Sequence, residues 1–327
     1  MTANQVTQSR TLSRKISLTE VGFGGAQLGN LFQKVSDVEA ELAVRAAWSA
    51  GIRYFDTAPH YGLGLSERRL GSALSAYHRA DYVVSTKVGR LLVPSPETAE
   101  LEDEGFAVPA DHRRVFDFSR DGIFRSIEAS LQRLGLDHID IAYLHDPDEH
   151  WGEASTTGID ALIQLREQGL VGAIGAGMNQ SKMLAEFVRR CDVDVVMIAG
   201  RLTLLDTSAL QDLIPAAHDR GVGVVAAGVF NSGLLGNRRV SEKSMFDYRP
   251  APRALVTRAN LIADMCEAHG VTLPEVAVAF PLQLSEVVSV VLGMRTPDQV
   301  VENVGRFNRV IPAGLWRDLK SSGLVRT

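Results

Sequence analysis

Cysteine is scarce in this chain, and positive charge is in deficit. The 327 residues include two cysteines, Cys191 and Cys266, which lie far apart and form no Cys-x-x-Cys pattern. The sequence therefore predicts free buried thiols rather than a disulfide scaffold. Lys and Arg number 34 against 39 Asp and Glu, and the net charge of −5 provides no basic field for nucleic acid or an anionic membrane.

Long apolar runs are absent as well. No stretch reaches the roughly 18 apolar residues that a membrane-spanning helix needs. The polar segment Met1–Leu12 lacks the apolar core of a signal peptide. We therefore expect a cytoplasmic protein that binds neither nucleic acid nor membrane, and the sequence leaves its oligomeric state open.

Short apolar runs alternate with longer amphipathic stretches along the chain. Most of the short runs are rich in Val and Ile and apolar throughout, which is typical of strands buried on both faces of a parallel sheet. Eight such strands alternating with helices predict an α/β fold, a (β/α)8 TIM barrel in one domain over residues 1–327, with an open doubly wound sheet as the alternative. The predicted strands are Val21–Gly25, Ile52–Asp56, Tyr82–Thr86, Ile139–Leu144, Val171–Ala176, Val193–Ala199, Val222–Ala227 and Val287–Leu292. The predicted helices include Val38–Ala50, Ser66–Ser75, Arg120–Leu134, Gly158–Gln168, Ser181–Arg190, Ala209–Asp219 and Pro297–Arg306.

Three segments are additional to the eight strand–helix units of a minimal barrel. Thr11–Thr19 is expected to form an N-terminal β-hairpin that closes the barrel floor. Arg90–Phe118 and Asn231–Arg253 are long, polar and contain proline, and both follow predicted strands. They are expected to be loops at the carboxyl face, where barrel enzymes build their active sites.

Polar side chains stand where several of these strands end. Asp56 ends one strand, Lys87 directly follows the next, His145 follows a third, and Tyr61 lies five residues after Asp56 in a Pro-Gly turn. Each has an ordinary interpretation alone: a helix cap, a solvated charge, a loop residue or a packed ring. Together at one rim of a barrel, they are expected to converge on a catalytic site.

This combination suits hydride chemistry at a carbonyl, which needs a proton donor for reduction and a base for oxidation. A free tyrosine has a pKa near 10. The Lys87 ammonium is expected to favour the Tyr61 phenolate and to pull this pKa towards neutral pH. Asp56 would pair with Lys87 and keep it protonated, and neutral His145 would bind the substrate oxygen.

These four residues, in this order, resemble the catalytic tetrad of the aldo-keto reductases. Further segments resemble that family in the same order: Phe55–Ala58, Tyr61-Gly62, Ser130–Gly135 with Ile139-Asp140, and Arg295–Pro297 with Glu302-Asn303. The resemblance covers about Leu12 to Phe307. It implies an NAD(P)-dependent oxidoreductase with Asp56, Tyr61, Lys87 and His145 as catalytic residues and no metal.

The cofactor site is not of the Rossmann type. Gly22–Gln27 is rich in glycine, but Gln27 stands where Gly-x-Gly-x-x-Gly ends in glycine. Thr296-Pro297-Asp298-Gln299 predicts a helix start with Thr as N-cap and Gln completing a capping box, suited to a phosphate. The resemblance implies cofactor contacts from Gly25, Ala26, Asp56, Met178, Asn179, Gly228, Val229, Phe230, Asn231, Gly293, Met294, Arg295, Thr296, Gln299, Glu302 and Asn303.

Two departures from the family pattern bear on the cofactor. Gly293 and Gln299 stand where NADP-preferring members carry a Lys and an Arg around the 2′-phosphate. Each lost charge-assisted contact is worth roughly 1.5–3 kcal/mol, which favours NAD over NADP, although Arg295 is a nearby cation. Ala227 stands where many members stack an aromatic ring on the nicotinamide, and Phe230 is a candidate replacement.

Within the family, the segments at Phe118–Gly122, His145–Asp148 and Phe230–Leu235 most resemble the aldose 1-dehydrogenases, which oxidise a sugar hemiacetal to a lactone. Pyridoxal 4-dehydrogenase is the alternative, and a general aldehyde or ketone reductase or a non-enzymatic cofactor-binding subunit is more remote. Predicted substrate contacts are Tyr61, His60, His145 and Trp151. The residues also leave open a metal hydrolase built on His145, Asp146, Asp148, Glu149 and His150, and an aldolase using Lys87.

Overall fold

Eight parallel strands close into a barrel in the computed structural model, which describes residues 6, 8–12, 14–103 and 105–326. Each barrel strand pairs with the next along the chain, and the last returns to the first with Val290 opposite Val21. The barrel strands are β3 (Val21–Gly24), β4 (Tyr54–Asp56), β5 (Val83–Val88), β8 (Ile139–His145), β9 (Val171–Met178), β10 (Val195–Ala199), β11 (Gly223–Ala227) and β14 (Val287–Gly293). The predicted barrel is confirmed, and the open sheet is excluded.

The helices lie between these strands. They are α1 (Asp37–Ser49), α2 (Leu65–Leu74), α3 (Arg120–Leu134), α4 (Trp151–Glu153), α5 (Ile159–Glu167), α6 (Ser181–Arg190), α7 (Leu213–Arg220), α8 (Arg253–Ala268), α9 (Leu273–Ala279), α10 (Pro297–Phe307) and α11 (Ala313–Ser321). The predicted helices α3 and α6 have the predicted bounds, whereas α7 begins four residues late because the Asp212 side chain accepts a hydrogen bond from the Leu213 amide and caps it there. Helices α8, α9 and α11 were not among those predicted.

A hairpin closes the amino end of the barrel, as predicted. Its strands β1 (Ser9–Thr11) and β2 (Ser17–Thr19) are antiparallel, so the hairpin begins two residues earlier than the predicted Thr11 and ends at the predicted Thr19. Leu12 and Leu18 belong to the buried apolar cluster that also contains Tyr143 and Val195 of the barrel strands. The floor of the barrel is therefore sealed by hydrocarbon, and its open end is the carboxyl mouth.

The two long insertions at that mouth contain regular structure. Arg90–Phe118 was expected to be a loop, but β6 (Arg90–Pro94) pairs with β7 (His112–Phe116) to form a second hairpin. The Asn231–Arg253 segment carries a turn at Leu234–Gly236 and the small hairpin of β12 (Met245–Phe246) and β13 (Arg249–Pro250). Among the helices of the described ranges, none has the length and apolar character needed to cross a membrane.

Candidate active site

The four side chains predicted at strand ends meet at the carboxyl mouth of the barrel. Asp56 ends β4, Lys87 lies one residue before the end of β5, His145 ends β8, and Tyr61 lies in the turn after β4. Asp56, Lys87 and His145 are all buried, and the Tyr61 and His145 rings face each other edge to face with centroids 6.1 Å apart. Adjacent parallel strands place their carboxyl ends side by side, and this geometry brings the four residues together.

The Lys87 ammonium links the Asp56 carboxylate to the Tyr61 phenol. Lys87 Nζ donates to Asp56 Oδ2 at 2.8 Å and Oδ1 at 3.0 Å, to the Thr57 carbonyl at 3.0 Å, and to the Tyr61 hydroxyl at 3.2 Å. Burial alone would lower the pKa of Lys87, but Asp56 and Tyr61 raise it above its ordinary value. Lys87 is therefore positively charged at neutral pH, and its ammonium group lies within hydrogen-bonding distance of the phenol oxygen.

A chain of buried hydroxyl groups supports Asp56 from inside the barrel. Ser85 Oγ donates to Asp56 Oδ1 at 2.7 Å, and the Tyr54 hydroxyl is 3.0 Å from Ser85 Oγ and 3.4 Å from the Tyr143 hydroxyl. Burial raises the pKa of both tyrosines, so they remain protonated donors. Sequence analysis missed these three residues, although each stands two positions before a tetrad residue and so shares its face of the strand.

The turn that carries Tyr61 depends on two glycines in close contact. A Cβ on Gly62 would lie 2.2 Å from the Gly29 carbonyl oxygen, and a Cβ on Gly29 would lie 2.5 Å from the Tyr61 carbonyl carbon. Gly62 also has φ +61°, a left-handed conformation that glycine adopts without steric cost. The segment after β3 and the segment after β4 are thereby locked together, and this contact fixes the position of the phenol.

The predicted lowering of the Tyr61 pKa is wrong. Burial raises the pKa of Tyr61 by more than the Lys87 ammonium lowers it, and the Asp56 carboxylate adds to the increase. The sequence could show the ammonium but not the depth at which the phenol is buried. At neutral pH the resting phenol is therefore protonated.

Two histidines border the phenol. His60 lies edge to face with His145, with ring centroids 5.5 Å apart. Burial, followed by the cations Arg114 and Arg90, lowers the pKa of His60 to about 3, and burial lowers the pKa of His145 well below its ordinary value. Both rings are neutral near pH 7, and the buried Nδ1 atom of each has no hydrogen-bond partner among the described residues. Neither ring therefore adds charge to the site, and each keeps a nitrogen that is free to form a hydrogen bond.

An ion pair that sequence analysis did not assign to the substrate site adjoins His145. Arg90 Nη2 donates to Asp146 Oδ2 at 2.5 Å, and this carboxylate oxygen lies 3.7 Å from His145 Nε2. Arg114, from the same hairpin, is held by Asp103 through two bonds of 2.6 Å. In the sequence, only the position of Arg90 two residues after β5 indicated that it could lie near the site. The pairing of the hairpin strands, which turns Arg90 towards Asp146, is not visible in the sequence.

The structure does not bring Trp151 to the tetrad. Its ring packs edge to face on Phe187 of α6, at 4.8 Å between centroids, and the Arg190 guanidinium lies 5.4 Å from its centroid. Because Trp151 begins a helix that covers the outside of the barrel, its apolar ring is used in packing. Trp151 is therefore dropped from the substrate contacts.

The predicted cofactor residues lie along one continuous part of the rim. Met178 ends β9, Gly228–Asn231 follow β11, Gly293 ends β14, and Gly25 and Ala26 follow β3. In the barrel order β11, β14 and β3 are neighbours, and only β10 lies between β9 and β11. Met178, Val229 and Met294 are buried, whereas Asn179, Gly228 and Gly293 are exposed at the mouth. Phe230 is partly buried, with the Arg306 guanidinium 5.4 Å from its ring centroid.

Polar atoms without partners along this part of the rim fit a large polar ligand. Within the described ranges, Gln27 Oε1, Asn231 Oδ1 and Arg295 Nε are buried and make no hydrogen bond. A buried polar atom left unpaired costs roughly 1–3 kcal/mol, so a ligand that supplies hydrogen bonds is favoured here. The amides, ribose hydroxyls and phosphates of a nicotinamide dinucleotide offer such groups, and the residues present therefore fit this cofactor.

The α10 helix begins as predicted, with Thr296 as N-cap, but the predicted capping box does not form. Thr296 Oγ1 accepts from the Gln299 amide at 3.3 Å, while the Gln299 side chain accepts from the Arg295 amide at 2.8 Å instead of completing a capping box. The predicted box is wrong because the Gln299 side chain reaches one residue further back. Glu302 and Asn303 both accept from Arg306, at 2.6 and 2.7 Å.

The metal-hydrolase alternative finds no support in the side-chain geometry. Within the part of the chain that the structure describes, no three or more His, Cys, Asp or Glu side chains are grouped so that they could hold a metal ion. His150 stacks on Phe116, with ring centroids 4.7 Å apart, and Asp146 is paired with Arg90.

Comparisons with known proteins agree with this geometry. Residues 20–323 match the model of the aldo/keto reductase family. The chain is 45% identical over 325 residues to a D-threo-aldose 1-dehydrogenase from Pseudomonas sp., covering 98% of this chain and 99% of the relative. It is 38% identical to a pyridoxal 4-dehydrogenase from Microbacterium luteolum, again covering 98% and 99%. It is 31% identical to an L-galactose dehydrogenase from Arabidopsis thaliana, covering 94% and 89%.

Solved structures share the fold. The holo form of an aldo-keto reductase from Bacillus halodurans superposes with a TM-score of 0.75 at 24% identity, covering 98% of this chain and 96% of that one. The match to the family model and the 45% identity to a curated relative confirm the predicted family and its oxidoreductase class. The chain belongs to the aldo/keto reductase family.

Proposed function

We propose that this protein oxidises an aldose at its anomeric carbon with NAD, giving a lactone. Aldo-keto reductases use nicotinamide cofactors. The observation that carries the proposal is the 3.2 Å contact of Lys87 Nζ with the Tyr61 hydroxyl beside neutral, buried His145. The 45% identity to a D-threo-aldose 1-dehydrogenase over nearly the whole chain supports the choice of an aldose.

The tetrad residues are suited to moving one proton at the reacting oxygen. His145 binds the anomeric hydroxyl and orients it, and Tyr61 as phenolate takes its proton. The Lys87 ammonium stabilises the phenolate, and Asp56 holds Lys87 in place through two hydrogen bonds. When bound, NAD supplies the hydride acceptor, so the sugar carbon loses two electrons and its oxygen becomes a carbonyl.

We propose NAD as the preferred cofactor. Gly293 and Gln299 supply no cation for a 2′-phosphate, and the Gln299 side chain is already used by the Arg295 amide. The Arg295 guanidinium donates to the Leu31 carbonyl at 2.9 Å, which directs part of its hydrogen-bonding capacity away from a phosphate. Replacing Gln299→Arg should raise kcat/KM for NADP relative to NAD. A wild-type protein that already prefers NADP would contradict this preference.

A substrate panel tests the proposal. L-fucose, D-arabinose, L-galactose and pyridoxal are each incubated with NAD or NADP while the reduced nicotinamide absorbance is followed. We expect cofactor reduction with at least one aldose, a product that forms a hydroxamate with hydroxylamine as a lactone does, and loss of turnover in Tyr61→Phe. Failure of every aldose would overturn the proposal.

A second candidate is pyridoxal oxidation, which the 38% identity to a pyridoxal 4-dehydrogenase favours. Pyridoxal also presents a cyclic hemiacetal, so the same phenol and imidazole suit it. Turnover of pyridoxal with no turnover of any sugar would establish this candidate instead.

A further inference from the structure

Asp146 has a backbone conformation that directs its carboxylate into the mouth of the barrel. Its φ is +41°, in the left-handed region that costs a non-glycine residue about 1–2 kcal/mol. The conformation is fixed because the Asp146 amide donates to the Gly177 carbonyl at 2.9 Å, which extends the β8–β9 pairing by one bond. Strain of this kind persists where the surrounding structure imposes it, and it is concentrated at functional sites.

The Arg90–Asp146 pair has unused hydrogen-bonding capacity. The Asp146 side chain is 37% exposed, and that of Arg90 is 15% exposed, so one edge of the ion pair faces the mouth. Arg90 Nε is buried and has no partner among the described residues. The Arg90 guanidinium also lies 5.0 Å from the Phe116 ring centroid, which holds its plane in place.

These donors and acceptors match a hydroxyl group better than an apolar substituent. A hydroxyl donates one hydrogen bond and accepts others, while a carboxylate accepts and a guanidinium donates. The reacting oxygen belongs to Tyr61 and His145, and Asp146 Oδ2 lies 3.7 Å from His145 Nε2. The nearest further group of the substrate is therefore the one on the carbon next to the reacting carbon.

We propose that the Arg90–Asp146 pair binds the hydroxyl on the carbon adjacent to the reacting carbon, and so selects polyhydroxylated substrates over simple aldehydes. This inference rests on the proposed aldose oxidation. It makes Asp146 and Arg90 residues that determine specificity, whereas Tyr61 and His145 carry the proton transfer. Arg114 is excluded from the role because Asp103 holds it through both terminal nitrogens.

A combined change of enzyme and substrate tests the inference. The substrate pair is D-arabinose and 2-deoxy-D-ribose, which differ by the hydroxyl at carbon 2, or L-fucose and 2-deoxy-L-fucose. In the wild type, we expect loss of this hydroxyl to lower kcat/KM by about 10- to 150-fold, the factor for one charge-assisted hydrogen bond. Asp146→Asn should lower kcat/KM for the intact sugar by a similar factor and change that for the deoxy sugar by less than about threefold.

Two further variants make the result decisive. Glu149→Gln removes the same charge from an exposed position on the same loop, and it should leave both substrates unaffected. Arg90→Lys keeps the positive charge but loses the planar guanidinium group, and it should weaken binding of the intact sugar more than binding of the deoxy sugar. This variant tests the inference even if Asp146→Asn is poorly folded.

The outcomes separate the two proposals. If the wild type oxidises aldoses but Asp146→Asn loses equal factors on the intact and deoxy sugars, this inference is overturned and the aldose activity stands. Equal oxidation of the intact and deoxy sugars by the wild type would overturn the inference in the same way. If the wild type oxidises no aldose, both proposals fall together.

Discussion

Replacing Lys87 with methionine removes one charge from the site and keeps the length of the side chain. Lys87 Nζ lies 3.2 Å from the Tyr61 hydroxyl. With an effective dielectric constant of about 20, unit charges at this separation attract by about 5 kcal/mol, which corresponds to almost four pKa units. Because burial already raises the Tyr61 pKa, the phenolate would become inaccessible, and we expect aldose oxidation at pH 8 to fall at least about 1000-fold.

The assay must separate this effect from unfolding. Lys87→Met leaves the Asp56 carboxylate buried with its positive partner gone, and breaking a buried pair in this way costs about 3–5 kcal/mol. The double variant Asp56→Asn/Lys87→Met replaces the pair with neutral groups, so it should regain most of the lost thermal stability without regaining activity. NAD binding, followed by protein fluorescence, should be nearly unchanged in Lys87→Met.

A double-mutant cycle with Tyr61→Phe gives the decisive result. If Lys87 acts only through the phenol, adding Lys87→Met to Tyr61→Phe changes kcat by less than about threefold, because the phenol is already absent. Losses that multiply in the double variant would refute the reasoning and give Lys87 a role of its own, such as direct contact with substrate. Retention of a tenth of the activity in Lys87→Met would refute it as well.

Three further predictions concern pH and the residues around the tetrad. Because burial raises the pKa of Tyr61, kcat/KM for oxidation should rise about tenfold per pH unit on the acidic side of that pKa, and a flat profile between pH 6 and 9 would contradict this. Ser85→Ala removes a 2.7 Å bond to Asp56 and should lower kcat by up to about 100-fold with the NAD dissociation constant unchanged; an unaltered kcat would show that this bond is dispensable. The lowered pKa values of His60 and His145 mean that the unfolded chain binds more protons than the folded protein around and below pH 6.5. The free energy of unfolding should therefore fall as the pH is lowered, by up to about 1.4 kcal/mol per pH unit for each histidine, and His60→Gln should reduce this slope by one histidine's share in denaturant titrations at pH 5 to 6.5.

The barrel could be predicted because its strands are apolar on both faces. The run Val171–Ala176 shows this pattern without interruption, and Val287–Leu292 departs from it only at Ser289. No end of an observed barrel strand differs from the predicted one by more than two residues. The β6–β7 hairpin was not predicted, since its strands are only five residues long and none of their residues is fully buried. A strand that packs little apolar surface leaves little pattern in the sequence.

The sequence predicted which residues come together at the candidate site, but it did not predict the pKa of Tyr61. Strand ends place Asp56, Lys87 and His145 at one rim, because the order of the strands fixes their neighbours. The direction of the Tyr61 pKa depends on how much solvent the fold removes around the phenol, which only the packed structure reveals. Asp146 was visible beside His145, but its left-handed backbone, which turns the carboxylate towards Arg90, was not.

The buried polar groups of the barrel interior are consistent with catalysis rather than with stability. Tyr54, Ser85 and Tyr143 occupy fully buried positions that hydrocarbon side chains would fill without any hydrogen-bonding requirement. A buried hydroxyl gains little net free energy from its hydrogen bond, whereas an unpaired one costs roughly 1–3 kcal/mol. Their arrangement makes sense if the Asp56 carboxylate must be fixed in orientation, since a rotated carboxylate would draw the Lys87 ammonium away from the phenol. In the proposed reaction the same groups would serve both directions: the protonated phenol that burial favours would donate to an aldehyde oxygen, and at higher pH the same oxygen would act as a base for the hemiacetal.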